Sequence, residues 1–210
     1  MQPILNNLDD FVSTFEPGRI RTIAGIVNQV VALKNMVDAF SQYARSPDAV
    51  MRELDINALT REVLVLYESS LGRAVHLELT PGLPLVTGDG AQMRQVIHNI
   101  LQNAQDALVG TEKPRLVISS SYADRAVQVA FTDNGCGFPE GMIHRAFEPY
   151  VTTKPKGTGL GLVIVKKIVE EHGGAVTIAN VTPHGARVTV RLPAVVTQDP
   201  ARRTSVQARV

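Results

Sequence analysis

The sequence predicts an α+β protein, a two-layer α/β sandwich with helices on one face of a mixed, mostly antiparallel sheet, preceded by a long coiled-coil or hairpin helix. Three observations predict it. Segments of helical and strand period are interleaved along the chain. The later strand-like segments are joined by short loops, which favours antiparallel neighbours. Before them, residues 19–45 carry an apolar seam of coiled-coil spacing.

That first segment lies between the breaker pair Pro17-Gly18 and Pro47. Ile23, Ile26, Val30, Leu33, Val37, Phe40 and Ala44 recur at alternating steps of three and four, and Ala24, Val27 and Val31 widen the stripe to the width a bundle helix needs. A helix of this length would span roughly 40 Å. The stripe suits a core helix of an ordinary domain, or a dimerising helix packed against its symmetry mate; we prefer the second.

Asp55 or Asn57 can cap a helix whose apolar face includes Leu59, Val63 and Leu66. Val75–Leu79 alternates like a half-buried strand, and Pro81-Gly82-Leu83-Pro84 turns the chain. Asp89 caps the next helix, whose Met93, Val96, Ile97, Ile100, Leu101, Ala104, Ala107 and Leu108 form one apolar side. Leu116–Ile118 and Ala126–Phe131 read as strands joined through Tyr122-Ala123-Asp124. A helix follows Gly159 and ends at His172-Gly173-Gly174, where glycine suits a left-handed cap. Ala175–Ala179 and Ala186–Leu192 close the sheet, and the tail beyond Pro193 reads as disordered.

Composition narrows the function classes. With 210 residues, 44% of them hydrophobic, the chain can bury a real core. A net charge of +1 gives no nucleic-acid footprint. A single cysteine excludes an internal disulfide framework and fits a reducing compartment. No apolar run approaches the roughly 18 residues of a membrane span, so we expect a soluble, cytoplasmic chain whose anchor, if any, lies upstream.

Three polar motifs carry the chemistry. Asn99, Asn103 and Asp106 stand at i, i+4 and i+7 and share one narrow arc of their helix. An asparagine amide oxygen is a hard neutral ligand that suits a Mg²⁺ taking its other ligands from phosphate and water. Asp133-Asn134-Gly135-Cys136-Gly137 follows a strand; its carboxylate can accept from an exocyclic amine, and its glycines allow close approach of a flat ring. Gly157-Thr158-Gly159-Leu160-Gly161-Leu162 opens a helix whose unpaired N–H groups favour an anion. It is neither a P-loop nor a dinucleotide fingerprint, since no Gly-Lys-Ser/Thr ends it and Leu162 replaces the third glycine. Singly, each has an ordinary reading: a solvated helix face, a strand-ending turn, a flexible loop. His98 reads as a histidine at the rim of this face, and Cys136 as a packing residue.

In this order the motifs resemble the ATP-binding fold shared by gyrase, chaperone, histidine-kinase and MutL ATPases. Phe147-Glu148-Pro149-Tyr150-Val151-Thr152-Thr153-Lys154 and Glu171-His172-Gly173-Gly174 narrow the likeness to sensor histidine kinases of the nitrogen-regulation (NtrY/NtrB) type, and Met36–Arg45 resembles the second helix of their dimerisation hairpin. The likeness spans residues 19–192. It implies ATP and Mg²⁺ as ligands, with Asn103 on the metal and Asn99 lining the phosphates. Asp133 would read the adenine amine, with Gly135 and Gly137 in the base pocket. Asp106 would lie alongside. A lid would bring Phe147, Thr153, Lys154, Lys156, Gly157, Thr158, Gly159, Leu160 and Gly161 to the nucleotide, and Asn99 and Lys154 nearest the chemistry.

The resemblance further implies a partial dimerisation hairpin over 1–47, a catalytic domain over 48–193 and a tail over 194–210. Partners would be a response-regulator receiver domain and a second copy through helix 19–45. One departure stands out: Met1–Pro17 contains no histidine, whereas the family carries its phosphoacceptor histidine on the first hairpin helix. We therefore expect the catalytic part of a sensor kinase whose acceptor helix is missing by truncation or a misplaced start. The alternatives are a silent ATP-binding and dimerisation module, or an ATPase or serine kinase of the same fold. The last is disfavoured by asparagine at 99, where the ATPases place a water-activating glutamate.

Overall fold

The computed structural model describes residues 49–154 and 157–195, together with Val30. The expected helix 19–45 (Val30 apart), Lys156 and residues 196–210 lie outside the described residues. The chain divides into two compact units, one grouping Thr152–Thr158 with Met1–Arg45, the other formed by Ser46–Val151 and Gly159–Val210.

In the second unit the elements run β1 (Arg52–Leu54), α1 (Ile56–Val65), α2 (Glu68–Leu71), β2 (Val75–Leu79), β3 (Val86–Gly88), α3 (Gly90–Ala107), β4 (Leu116–Ala123), β5 (Ala126–Asp133), α4 (Gly161–Glu171), β6 (Ala175–Asn180) and β7 (Ala186–Pro193). Five strands form one sheet in the order β2-β4-β5-β7-β6. Strands β4, β5, β7 and β6 pair antiparallel. The short β4–β5 and β6–β7 connections predict two of these pairs, and the β5–β7 pair forms across the long excursion through α4 and β6. The β2–β4 pair is parallel instead. Its connection contains the whole of α3, and a crossover of that length permits parallel strands where a tight turn does not.

Alternation along the strands sends one set of side chains towards the helices. Leu116, Ile118, Val127, Val129, Phe131, Val188, Val190 and Leu192 are buried there. Against them pack Met93, Val96, Ile97, Ile100, Leu101 and Ala104 of α3, and Val163, Val165, Ile168 and Val169 of α4. Val117, Ser119, Ala130, Thr132 and Thr189, on the opposite face, are only half-buried. The outcome is the two-layer α/β sandwich, with a mixed, mostly antiparallel sheet and helices on one face.

Local signals place the helix ends. Asp55 caps α1 by accepting from the backbone N–H groups of Asn57 at 2.9 Å and Ala58 at 3.0 Å. Leu59 and Val63 are buried, as their spacing predicts, but Leu66 is 74% exposed. It falls at the C-cap, where the helical seam has ended. Two three-residue strands, β1 and β3, form a separate antiparallel ribbon that the sequence reading does not contain; three residues are too few to show a strand period. Past Pro193, Ala194 bridges Val86, and the Val195 N–H donates to the Leu85 carbonyl at 2.7 Å.

A histidine joins the distant ends of the two long helices. His172, 6% exposed, has its Nδ1 2.7 Å from the Ile168 carbonyl, and its Nε2 accepts the Asp89 backbone N–H at 2.9 Å. A carbonyl can only accept, so the proton sits on Nδ1. Asp89 in turn caps α3, its carboxylate accepting from Ala91, Gln92 and Val50. These N–H donors, Gln92 first, hold that carboxyl below its ordinary range. Beyond His172, α4 closes with paired bonds from Gly173 N–H to the Glu170 carbonyl and Gly174 N–H to the Val169 carbonyl, both 2.9 Å. Gly173 supplies the left-handed turn at φ +67°.

His172→Ala strands the Asp89 N–H and opens a void. We expect it to lower unfolding free energy by about 2–3 kcal/mol in urea titrations; a change within experimental error would show that this link carries no stability.

Candidate functional site

The first two motifs and the Gly159–Leu162 part of the third, all in the second unit, meet where α3 ends. The Cys136 backbone N–H donates to the Ala107 carbonyl at 3.2 Å, so the turn after β5 docks on the last turn of α3. Gly135 is required at this contact: a Cβ there would lie against the Ala107 carbonyl and 3.0 Å from the Ala107 Cβ. From the other side, a Cβ on Gly161 would stand 3.8 Å from Asn103 Nδ2. The start of α4 therefore lies beside Asn103, the second asparagine of α3.

Asn99, one turn before Asn103, is half-buried, and its Nδ2 is buried with no hydrogen-bond partner. An unmade bond at a buried amide costs about 1–3 kcal/mol, and such groups concentrate where a ligand completes them. Asn103 is half-buried on the same face. Asp106 is exposed and accepts from Gln102 Nε2 at 3.4 Å. Burial first, and the Asp106 charge second, push the Tyr67 phenol up. The Tyr67 hydroxyl lies 2.9 Å from His98 Nδ1 and donates to the His98 carbonyl at 3.2 Å. His98 thus has a structural partner outside the Asn99–Asn103 face.

Asp133 is 7% exposed at the end of β5. One carboxylate oxygen, Oδ1, accepts from the Gly135 N–H at 2.9 Å and the Ala186 N–H at 3.3 Å. Desolvation pushes this carboxyl above its ordinary range, opposed by the two N–H groups. Asn134 is spent on structure: Oδ1 accepts from the Arg115 N–H at 2.7 Å and Nδ2 donates to the Lys113 carbonyl at 2.8 Å. Gly137, at φ +67°, passes so close to the β6–β7 connection that a Cβ would stand 3.0 Å from both Asn180 Oδ1 and the Gly185 carbonyl. Cys136 is exposed.

Phe147 follows a 3-10 turn at Ile143–Arg145, half-buried, with Lys166 Nζ 5.6 Å from its ring centroid. Tyr150 is 55% exposed, and its N–H donates to the Gly159 carbonyl at 3.2 Å. Gly159 has φ +67°, and a Cβ would fall 2.6 Å from the Tyr150 carbonyl carbon, so only glycine fits. Leu160 is buried, and as the N-cap of α4 it brings no capping side chain. Thr153, Lys154, Gly157 and Thr158 belong to the other unit. There the Lys154 N–H donates to Thr152 Oγ1 at 3.1 Å and the Gly157 N–H to the Lys154 carbonyl at 3.1 Å, a tight local turn.

A half-buried amide face, a buried acid beside a glycine turn and an uncapped helix start thus surround one helix end. The model of the histidine kinase-, DNA gyrase B-, and HSP90-like ATPase family matches residues 88–196, more than half of the chain and all three motifs. The chain belongs to that family. Among proteins similar to this ATPase-family chain, nitrogen regulation protein NtrY of Azorhizobium caulinodans is 36% identical over 173 residues, covering 80% of this chain and 22% of that protein. The catalytic domain of histidine kinase ThkA aligns at 32% identity with a TM-score of 0.61, covering 69% of this chain and 95% of that one. The same kinase in complex with response regulator protein TrrA aligns at 25% identity with a TM-score of 0.69, covering 92% and 58%. The chain spans about a quarter of the length of the curated relatives it matches.

The sequence reading did not find Asn180, Gly185 or the link from His172 to Asp89. Their partners lie 42 to 83 residues away, beyond any local pattern.

Two outcomes test this geometry. Gly135→Ala should lower stability by about 1–3 kcal/mol in denaturant titrations, because its methyl meets backbone. An acid whose folded pKa is raised favours folding most below its unfolded value, near 3.9, and loses ground as pH rises towards the folded one. Asp133→Asn escapes that loss, so its stability relative to the native chain should improve between about pH 4 and pH 7. A gap that does not change with pH contradicts the burial argument.

Proposed function

We propose that this chain is the ATP-binding catalytic part of a two-component sensor histidine kinase, transferring the γ-phosphoryl of ATP to a histidine nitrogen and thence to a response-regulator aspartate. The observation that carries the reading is the meeting of Asn103, Gly135 and Gly161 at the end of α3, with the unpaired amide of Asn99 one turn away. The family is one of ATPases. Similar proteins include putative sensor histidine kinases named NtrY-like and a histidine kinase solved in complex with a response regulator protein.

In this reading Asp133 takes the adenine amine on Oδ2, since Oδ1 already accepts two backbone N–H groups. Gly135 and Gly137 border the base. Asn99 donates to the phosphate chain, and the N-terminus of α4 with Gly159, Leu160 and Gly161 takes the terminal phosphates. Phe147, Thr153, Lys154, Gly157 and Thr158, with Lys156 outside the described residues, form the lid. Lys154 brings charge to the transferring group. Asn103 would hold the Mg²⁺, which neutralises phosphate charge. Catalysis is then positioning and charge neutralisation, with the histidine nitrogen attacking in line.

We further propose the division into a partial dimerisation hairpin over 1–47, a catalytic domain over 48–193 and a tail over 194–210, with a homodimer formed through helix 19–45. No helix among the described residues is long and apolar enough to cross a membrane.

The test supplies radiolabelled ATP·Mg²⁺ and a separate histidine-bearing hairpin domain. Acid-labile label on that domain is the expected result, and Asn103→Ala should weaken nucleotide binding at least about tenfold. Phosphate release without labelled protein would point to an ATPase. Binding without transfer would leave an ATP-binding and dimerisation module.

A further inference from the structure

Resting on the nucleotide reading above, we infer that Asn180 is a positioning residue for the base subsite, holding the far end of the Asp133–Phe138 turn. Its side chain acts as a short piece of β-ladder. Oδ1 accepts the Phe138 backbone N–H at 2.8 Å, and Nδ2 donates to the Phe138 carbonyl at 2.8 Å. A single amide thereby fixes both polar groups of one residue, which only asparagine or glutamine can do, and glutamine is one methylene too long for the same seat.

The placement is specific. Asn180 ends β6 and pairs in register with Ala186, the first residue of β7. The Ala186 N–H donates to Asp133 Oδ1, so the two ends of one hairpin connection hold the two ends of one turn. Between them the turn rests on the Ala107 carbonyl through Cys136. Gly137, which would border the purine, is confined from behind by Asn180 Oδ1 and the Gly185 carbonyl. Three points of attachment define a rigid body, and Asn180 is the point made by a replaceable side chain. Because the side chain is exposed, its removal leaves the core intact and frees Gly137 and Phe138.

Without Asn180 a bound base loses a preformed wall, and ordering that wall is charged to binding. The phosphate end, built on α3 and α4, is untouched. Isothermal titration of ATP·Mg²⁺ and of inorganic tripolyphosphate·Mg²⁺ against the full chain separates the two ends. Asn180→Ala should raise the Kd for ATP about tenfold while leaving tripolyphosphate within about twofold and the melting temperature nearly unchanged. Asn180→Asp should lose at least as much, since it sets a carboxylate oxygen against the Phe138 carbonyl. An Asn180→Ala protein that binds ATP like the native chain overturns the inference. So does parallel weakening of both ligands with a lowered melting temperature, which marks general loosening. If the native chain binds no ATP, the nucleotide reading itself fails, and the native titration alone reveals it.

Discussion

The carbonyl of Ala107 is the constraint around which the site is built. It lies on the last turn of a long helix, where carbonyl groups have no partner within the helix. The turn after β5 supplies that partner through the Cys136 N–H, and only glycine at 135 lets the backbones come that close. A strand end is thereby set against a helix end, and the acid of one motif comes near the amides of another. The start of α4 completes the group because α3 and α4 pack on the same sheet face and are tied through His172 at the end remote from the site.

The site combines two locally unfavourable features, an unpartnered amide and a buried acid. Several buried polar groups elsewhere are paired: Thr60 to the Ile56 carbonyl, Ser120 to Thr80, and both nitrogens of His172, while Asn57 Oδ1 and Gln92 Oε1 are buried without a partner. At the site an amide lacks a bond and a carboxyl is buried against its preference for water. Proteins retain such locally unfavourable groups where a ligand completes them. In the proposed function these groups would receive a partially positive amine at Asp133 and negative charge at the start of α4.

Much of this was legible in the sequence, for reasons that differ by residue. Asp55, Asp89 and Gly173 act through backbone groups two to four positions away, so local spacing reveals them. The periods of α3, β5 and β7 are long enough to show which face is buried. Leu66 was misplaced because a seam cannot announce the residue at which its helix stops. A mixed sheet is expected from the sequence, but which pair runs parallel is not legible there, because pairing direction depends on a crossover rather than on the strand's own residues. Of the site, the motif residues stood out by type and order. Asn180 did not, since an asparagine at a strand end looks like any turn residue until the fold brings Phe138 to it.

The contact between Tyr67 and His98 has an optical consequence. The chain contains no tryptophan and four tyrosines. Of those described, Tyr122 and Tyr150 are exposed at 48% and 55%, while Tyr67 is buried with its hydroxyl on an imidazole. That imidazole belongs to the residue next to Asn99. A shift in α3 alters the hydrogen bond of the one described phenol shielded from water, so its near-ultraviolet absorption and emission form a built-in gauge of the helix that carries the amide face, with no label attached.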